Sequence, residues 1–265
     1  MRLTDIHCHI LPGVDDGPDR MEETKAMLRM EYDAGVRTII ATPHYREDMF
    51  ETPMKRVYQS YMETRELAKA EGIRLYLGCE YHTCSRMVKD LKKKRRPGMA
   101  GSRFVLTEFS AIDQYEKFRR QIYDLIAAGY HPVVAHAERY SCLREQSGRI
   151  EELTDLGAYI QINAGAVLGE GGSKIKKFCR QIMEEDLVHF IASDAHGARY
   201  RKPNLGTCAE YISKKMGRAY AEKIFCENPV YILEDARKMA KIRKKIRAGK
   251  RKSCKGIEKH EENRA

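Results

Sequence analysis

Seven short apolar, β-branched runs recur along the chain, each followed by a longer stretch with the 3.6-residue spacing of an amphipathic helix. The runs are "RLTDIHCH", "RTIIATPH", "RLYLGCEY", "RFVLTEF", "PVVAHAER", "AYIQINA" and "HFIASDAH". Between them, "MEETKAMLRMEYDAG" and "KFRRQIYDLIAAG" read as helices closed by Gly35 and Gly129, because glycine accepts the left-handed cap that ends a helix. Strand-then-helix repetition implies parallel strands with helical crossovers. Seven such units in roughly 200 residues favour a closed or nearly closed α/β barrel, with an open doubly wound sheet as the alternative.

Buried parallel strands should be apolar throughout, so their polar residues are informative. These fall at strand ends: His7 and His9 close the first run, His44 the second, Glu80 the third, Glu108 the fourth, His136 the fifth, and Asp194 with His196 the seventh. In a β/α barrel the C-terminal strand ends form one face, so side chains distant in sequence would converge there. His7 and His9, two apart on a strand, would point to the same side and reach one ion. An H-x-H pair alone is weak, since histidines also serve structural roles, but every further Asp, Glu or His at a strand end needs its own structural explanation.

The donors exceed the roughly four that satisfy one zinc, which implies two or three ions. Imidazole and carboxylate without thiolate suit manganese, iron or zinc. Cys8 and Cys79 flank donors, but strand alternation turns them away. His82 reads as a rim residue, and His131 and His189 read as structural.

The eight cysteines are scattered without a C-x-x-C pair in a chain of 265 residues, which indicates reduced thiols. None has an arginine six residues on, so a cysteine-nucleophile phosphatase is disfavoured. No apolar run approaches a membrane span, and the N-terminus lacks an export signal, so a cytoplasmic location is expected. The net charge of +11 resides in the C-terminal segment: residues 236–265 hold 13 Lys or Arg and three Glu, leaving residues 1–235 almost neutral. Apolar positions from Ile232 to Ile246 allow a short basic helix there, partly helical or disordered beyond. Its charge could attract an anionic membrane surface, whereas missing aromatic interleaving argues against specific nucleic acid.

"DIHCHILPGVDDGP", "ATPHYREDMFETP", "GCEY", "LTEFS", "VVAHAERY" and "IASDAH" together resemble the polymerase-and-histidinol-phosphatase (PHP) superfamily, from about Met1 to about Asp235. More closely, they resemble its bacterial manganese-dependent tyrosine-protein phosphatases of capsule and exopolysaccharide synthesis operons. The resemblance implies a distorted seven-stranded β/α barrel in residues 1–235 carrying three divalent ions, commonly Mn2+, with Fe or Zn possible. By that resemblance His7, His9, Glu80 and Asp194 would hold one ion; Glu80, Glu108 and His136 a second; and Asp16, His44 and His196 a third. Asp15 competes with Asp16.

Phosphate-binding arginines are implied at Arg139 and Arg201, with Arg199 the competitor for the latter. The implied activity is phosphotyrosine hydrolysis by a metal-activated hydroxide, acting on a membrane-associated tyrosine autokinase. A phenolate of reference pKa near 10 leaves without much protonation, in keeping with a site whose evident acids are already ligands. A small-molecule phosphoesterase such as a histidinol phosphatase is the alternative. The segment "YREDMFETPMKRVY", with Arg46, Phe50 and Lys55, is a candidate lip of the site or a solvated loop.

Overall fold

The computed structural model describes the backbone of residues 1–146 and 148–262, and side chains through residue 245. Nine parallel strand segments form the centre: β1 (Leu3–Cys8), β2 (Val36–Ala41), β3 (His44–Tyr45), β4 (Arg74–Leu77), β5 (Glu80–His82), β6 (Phe104–Glu108), β7 (His131–Val134), β8 (Tyr159–Asn163) and β9 (Phe190–Ala192). They pair in the orders β1-β2-β4 and β3-β5-β6-β7-β8-β9.

Two of the seven expected runs are therefore divided, and the break has a local cause. Pro43, between β2 and β3, has no N–H to give to a ladder, and Gly78 lies between β4 and β5. Hydrogen bonds nevertheless bridge the gaps: Thr42 N donates to Cys8 O at 3.0 Å, Gly78 N to Ala41 O at 2.7 Å, and Glu80 N to Pro43 O at 3.1 Å. The last strand returns to the first, where Cys8 pairs with Ala195. Asp194 N donates to His7 O at 2.9 Å and His9 N to Ala195 O at 2.8 Å. The result is a distorted barrel.

Ile6, Ile40, Leu106, Val133 and Phe190, from five different strands, pack in one buried cluster. Side chains from strands spread around the sheets can meet only on the inside of the curl. Met27 and Leu28 of the helix Met21–Asp33, and Phe118 and Ile122 of the helix Tyr115–Ala127, belong to a second cluster outside it. Gly35 and Gly129 follow these two helices at φ 91° and 83°, the left-handed geometry that stops each of them.

The last helix, Asn228–Glu262, runs through the expected boundary at residue 235. Its first turns belong to the barrel, because Ile232 and Leu233 join the five-strand cluster. Asp235 fastens it further, accepting from Arg103 N at 2.8 Å and from Arg103 Nη2 through its other oxygen at 2.6 Å. From Arg237 to Lys245 all six basic side chains are exposed. The thiols of Cys8, Cys79, Cys84, Cys142, Cys179, Cys208 and Cys226 are unpaired; Cys254 lies outside the described side chains.

Candidate metal centre

Residues at the ends of the strands, just beyond them, or opening the short segments β3 and β5 meet at one place. His7 lies in β1 and His9 just beyond it, and their Nε2 atoms face each other at 3.1 Å. Glu80 opens β5 and sends Oε2 to 3.2 Å from His7 Nε2, 3.1 Å from His9 Nε2 and 3.0 Å from His44 Nδ1. Its Oε1 sits 2.9 Å from His136 Nε2, which is itself 3.8 Å from Glu108 Oε1. Asp194 Oδ1 stands 3.3 Å from His7 Nε2, and Asp16 Oδ1 lies 3.4 Å from His196 Nε2 and 3.5 Å from His44 Nε2.

Among the described residues four groups have donor atoms mutually within 4.8 Å, and three of them lie at this centre: His7, His9, Glu80 and Asp194; His44, Glu80 and Glu108; and His9, Asp16, His44 and His196; the fourth is Asp5, Cys8 and Glu31. The first coincides with the first ligand set of the PHP resemblance, the second has His44 where that set has His136, and the third adds His9. His9 also approaches the third set, and His44 stands nearer the second than the motif order suggests.

The surroundings orient these donors. Nδ1 of His7 meets Gln161 Oε1 at 3.1 Å, that of His9 meets Asp15 Oδ2 at 2.7 Å, that of His136 meets the Tyr140 hydroxyl at 3.2 Å, and that of His196 meets the Asp194 carbonyl at 2.9 Å. Four imidazoles are thus held by one nitrogen while Nε2 is turned to the cluster, as metal-ligating histidines are. Glu80 Oε2, His44 Nδ1 and His196 Nε2 are buried with no hydrogen-bond partner. Inward-facing lone pairs, a doubly approached carboxylate and orphaned polar atoms are what divalent cations satisfy, and the donor set fits them.

Electrostatics agree. Burial works against charge on His7 and His44, but the Glu80 carboxylate outweighs it and holds both imidazoles up at about 9. Burial, and then the charge of Glu80, pushes Glu108 up to about 7. Burial takes His136 down to about 4. The same carboxylates that raise His7 and His44 would favour divalent cations among them.

The backbone is strained at the same place. Of the non-glycine residues with positive φ, His136 (34°), Asp194 (51°) and Arg201 (45°) all belong to the centre. Conformations of this kind persist where surrounding contacts over-determine them.

Geometry separates the two adjacent aspartates. Both oxygens of Asp15 are engaged, one by His9 Nδ1 and His44 N at 2.9 Å, the other by Gly17 N at 3.1 Å. It positions His9 and is buried, whereas Asp16 is half exposed and turns a carboxylate oxygen to the cluster. The arginines separate as well. All three are exposed, but Arg139 and Arg201 both donate to Asp194 Oδ2, at 2.7 and 2.8 Å, whereas no such bond holds Arg199 among the described residues. A cavity of about 310 Å³ lined by Arg139, Asn163, Ser193, Asp194 and Arg201 adjoins them.

Cys8 is turned to Ala195 O, and Cys79 is buried in a separate apolar cluster, so neither faces the centre. His82 sits at the rim against Ser110 Oγ at 3.1 Å. His189 Nδ1 accepts from Ile160 N at 3.2 Å, and the His131 ring packs on Phe104 with centroids 4.8 Å apart.

Several participants were not singled out from the sequence. Gln161 Oε1 also accepts from His136 N at 2.8 Å, and its Nε2 donates to Asn163 Oδ1 at 2.9 Å. Asn163 Nδ2 in turn donates to Asp194 Oδ2 at 2.8 Å. Asp5 accepts from Ser193 N at 3.1 Å and from the Ser193 hydroxyl, tying β1 to the end of β9. The available signal was two polar residues at i and i+2 within the otherwise apolar "AYIQINA".

A parallel β/α barrel with imidazoles and carboxylates converging at its strand ends defines a class, the barrel-built metal-dependent hydrolases. Within it, the family model described as capsular polysaccharide synthesis, CpsB/CapC, matches residues 3–234. Tyrosine-protein phosphatase CpsB of Streptococcus pneumoniae is 38% identical over 240 residues, covering 88% of this chain and 99% of that protein. Tyrosine-protein phosphatase YwqE of Bacillus subtilis is 33% identical over 218 residues, 81% of this chain and 85% of that protein. A solved structure described among those of YwqE from B. subtilis and CpsB from S. pneumoniae, "unique metal-dependent tyrosine phosphatases", superimposes with a TM-score of 0.76. It has 30% identity and covers 89% of this chain and 93% of its own. The chain belongs to the CpsB/CapC family.

Proposed function

We propose that this chain is a metal-dependent protein-tyrosine phosphatase whose cofactor is three divalent ions, Mn2+ foremost. His7, His9, Glu80 and Asp194 would hold the first; Glu80, Glu108 and His136 the second; Asp16, His44 and His196, approached by His9, the third. Bound there, such ions supply Lewis acidity and water activated at neutral pH. The supporting observation is the pairing of the inward-facing donor cluster with Arg139 and Arg201, which converge on one oxygen of Asp194.

The chain's own residues divide the work. Gln161, Asp15, Tyr140 and the Asp194 carbonyl fix the imidazoles before substrate arrives, so little reorganisation is needed at the reacting centre. Arg139 and Arg201 offer guanidinium donors to a phosphoryl dianion entering beside Asp194, and guanidinium geometry suits two-point recognition of phosphate. Tyrosinate departs as a stabilised anion, which removes the need for a dedicated general acid.

The natural substrate in this reading is a tyrosine-phosphorylated protein, a membrane-associated autokinase controlling capsule or exopolysaccharide synthesis. The basic C-terminal helix would bring the enzyme to the same anionic surface. Elemental analysis of purified protein with a phosphotyrosine-peptide assay, run on wild type and His136→Ala, tests the core of this. About three ions per chain and near-total loss of activity in the variant are expected. Faster turnover of histidinol phosphate than of phosphotyrosyl peptide would make the chain a small-molecule phosphoesterase instead.

A further inference from the structure

The segment after β3 doubles back on itself. Arg46 N donates to Phe50 O at 3.1 Å and Phe50 N to Arg46 O at 2.8 Å, a closed turn in which Asp48 takes a φ of 62°. Both sides of the turn are tied to the barrel: Arg86 donates to Glu47, Thr52 Oγ1 to the carbonyl of Val14 at 2.6 Å, and Arg96 Nη2 to the carbonyl of Thr52 at 2.9 Å. These bonds set the Phe50 ring flat against the His44 imidazole, with centroids 5.0 Å apart and planes 11° from parallel. Phe50 keeps part of its surface open, and the neighbouring Met49 is 59% exposed.

The chemistry beside Asp194 is different. There Arg139 and Arg201 meet at Asp194, where a phosphoryl group would be held by charge. Phe50 is thus a fixed, partly open aromatic surface beside His44 at the edge of the cluster. It contributes nothing to binding a bare phosphate. A phenyl ring carried on that phosphate could stack on it or meet its edge, arrangements favoured beyond simple area burial.

We infer that Phe50 is a specificity-determining residue, the wall against which the phenyl ring of a phosphotyrosyl side chain rests, so that aryl phosphates are selected over alkyl phosphates. The inference rests on the phosphatase reading and adds the surface that reads the leaving group. Phe50 does not touch the reacting atoms, so its contribution belongs to binding of the ring.

Competitive binding of phenylphosphonate and methylphosphonate to the Mn2+-loaded protein, measured by calorimetry, separates ring recognition from turnover. Wild type should prefer phenylphosphonate by about three- to tenfold. Phe50→Leu should lose that preference while holding methylphosphonate and metal as wild type does, and Phe50→Tyr should restore it. Equal affinity of wild type for the two ligands would overturn the inference and leave the phosphatase reading intact, as would a Leu variant that kept the preference. A Leu variant that lost metal or methylphosphonate would also overturn it, because Phe50 would then act only by supporting His44. Failure of loaded wild type to bind either phosphonate would remove the phosphatase reading itself.

Discussion

At the scale of single residues, the centre depends on how each imidazole is held as much as on its presence. Asp15 and Asp16 are adjacent yet do different work: one carboxylate is saturated by His9, His44 N and Gly17 N, and the other faces the cluster. Asp16→Ala should therefore lower the number of bound ions by one at saturating metal, as elemental analysis would show. Asp15→Asn should keep the full number but weaken affinity by about 10- to 100-fold in a chelator competition, the usual cost of removing a group that orients a ligand. Gln161→Ala should behave like Asp15→Asn, because the amide holds both His7 Nδ1 and His136 N.

Asp16, Arg139 and Arg201 came only with the family resemblance, whereas the other donors were legible as polar residues at the ends of apolar runs. The choice between adjacent candidates was not, because spacing cannot say which of two neighbouring side chains has its oxygens already engaged. Gln161 and Asn163 escaped notice for a related reason, since an amide in a strand has no charge to announce a role.

At the scale of elements, the alternating runs foretold parallel strands but not where two of them break. Pro43 and Gly78 interrupt β2/β3 and β4/β5 just before His44 and Glu80, so these two donors begin new segments instead of ending old ones. A proline inside an apolar run is a visible signal. The compensating bonds of Thr42, Gly78 and Glu80 depend on neighbouring strands and are invisible in one-dimensional reading.

The C-terminal helix is likewise held by a distant partner, Arg103. Burial works to raise the Asp235 carboxyl, but the hydrogen bonds and charge of Arg103 prevail and hold it below the usual carboxylate range. A depressed carboxyl contributes stability above its unfolded pKa near 3.9 and loses it as pH falls through the lower folded value. Asp235→Ala should cost about 1–2 kcal/mol at neutral pH, since the Arg103 side chain is 44% exposed and partly screened. In thermal melts this corresponds to a drop of about 2–8 °C, and the gap to wild type should shrink as the buffer is taken below pH of about 4. A gap that persisted unchanged in acid would show that the lost packing of the side chain, not its charge, carries the effect.

At the scale of the whole molecule, charge and fold are divided between the two ends of the chain. Residues 1–235 are almost neutral, so no large net charge draws anionic partners to the barrel, and in the proposed reading attraction for phosphate falls to the centre and its two arginines. Residues 236–265 carry the excess, and they begin where the family match at residue 234 stops. The described side chains already present Arg237, Lys238, Lys241, Arg243, Lys244 and Lys245 to solvent on one helix, with Arg243 also donating to the Gly101 carbonyl at 2.9 Å. No described helix is long and apolar enough to cross a membrane, so any membrane association of this helix would be with the surface. Each basic residue near an anionic leaflet contributes about 1 kcal/mol, and that attraction decays over a Debye length of about 10 Å at 0.1 M salt. The full-length protein should therefore co-sediment with phosphatidylserine-containing vesicles in about 0.05 M salt, detach in about 0.5 M salt, and ignore neutral vesicles. Reversing three charges together, Lys241→Glu, Lys244→Glu and Lys245→Glu, should abolish most of the binding while turnover of a soluble phosphotyrosyl peptide stays at the wild-type rate. Vesicle binding that resisted both salt and charge reversal would assign the contact to the barrel surface, and the helix would then have no part in bringing enzyme and membrane-bound substrate together.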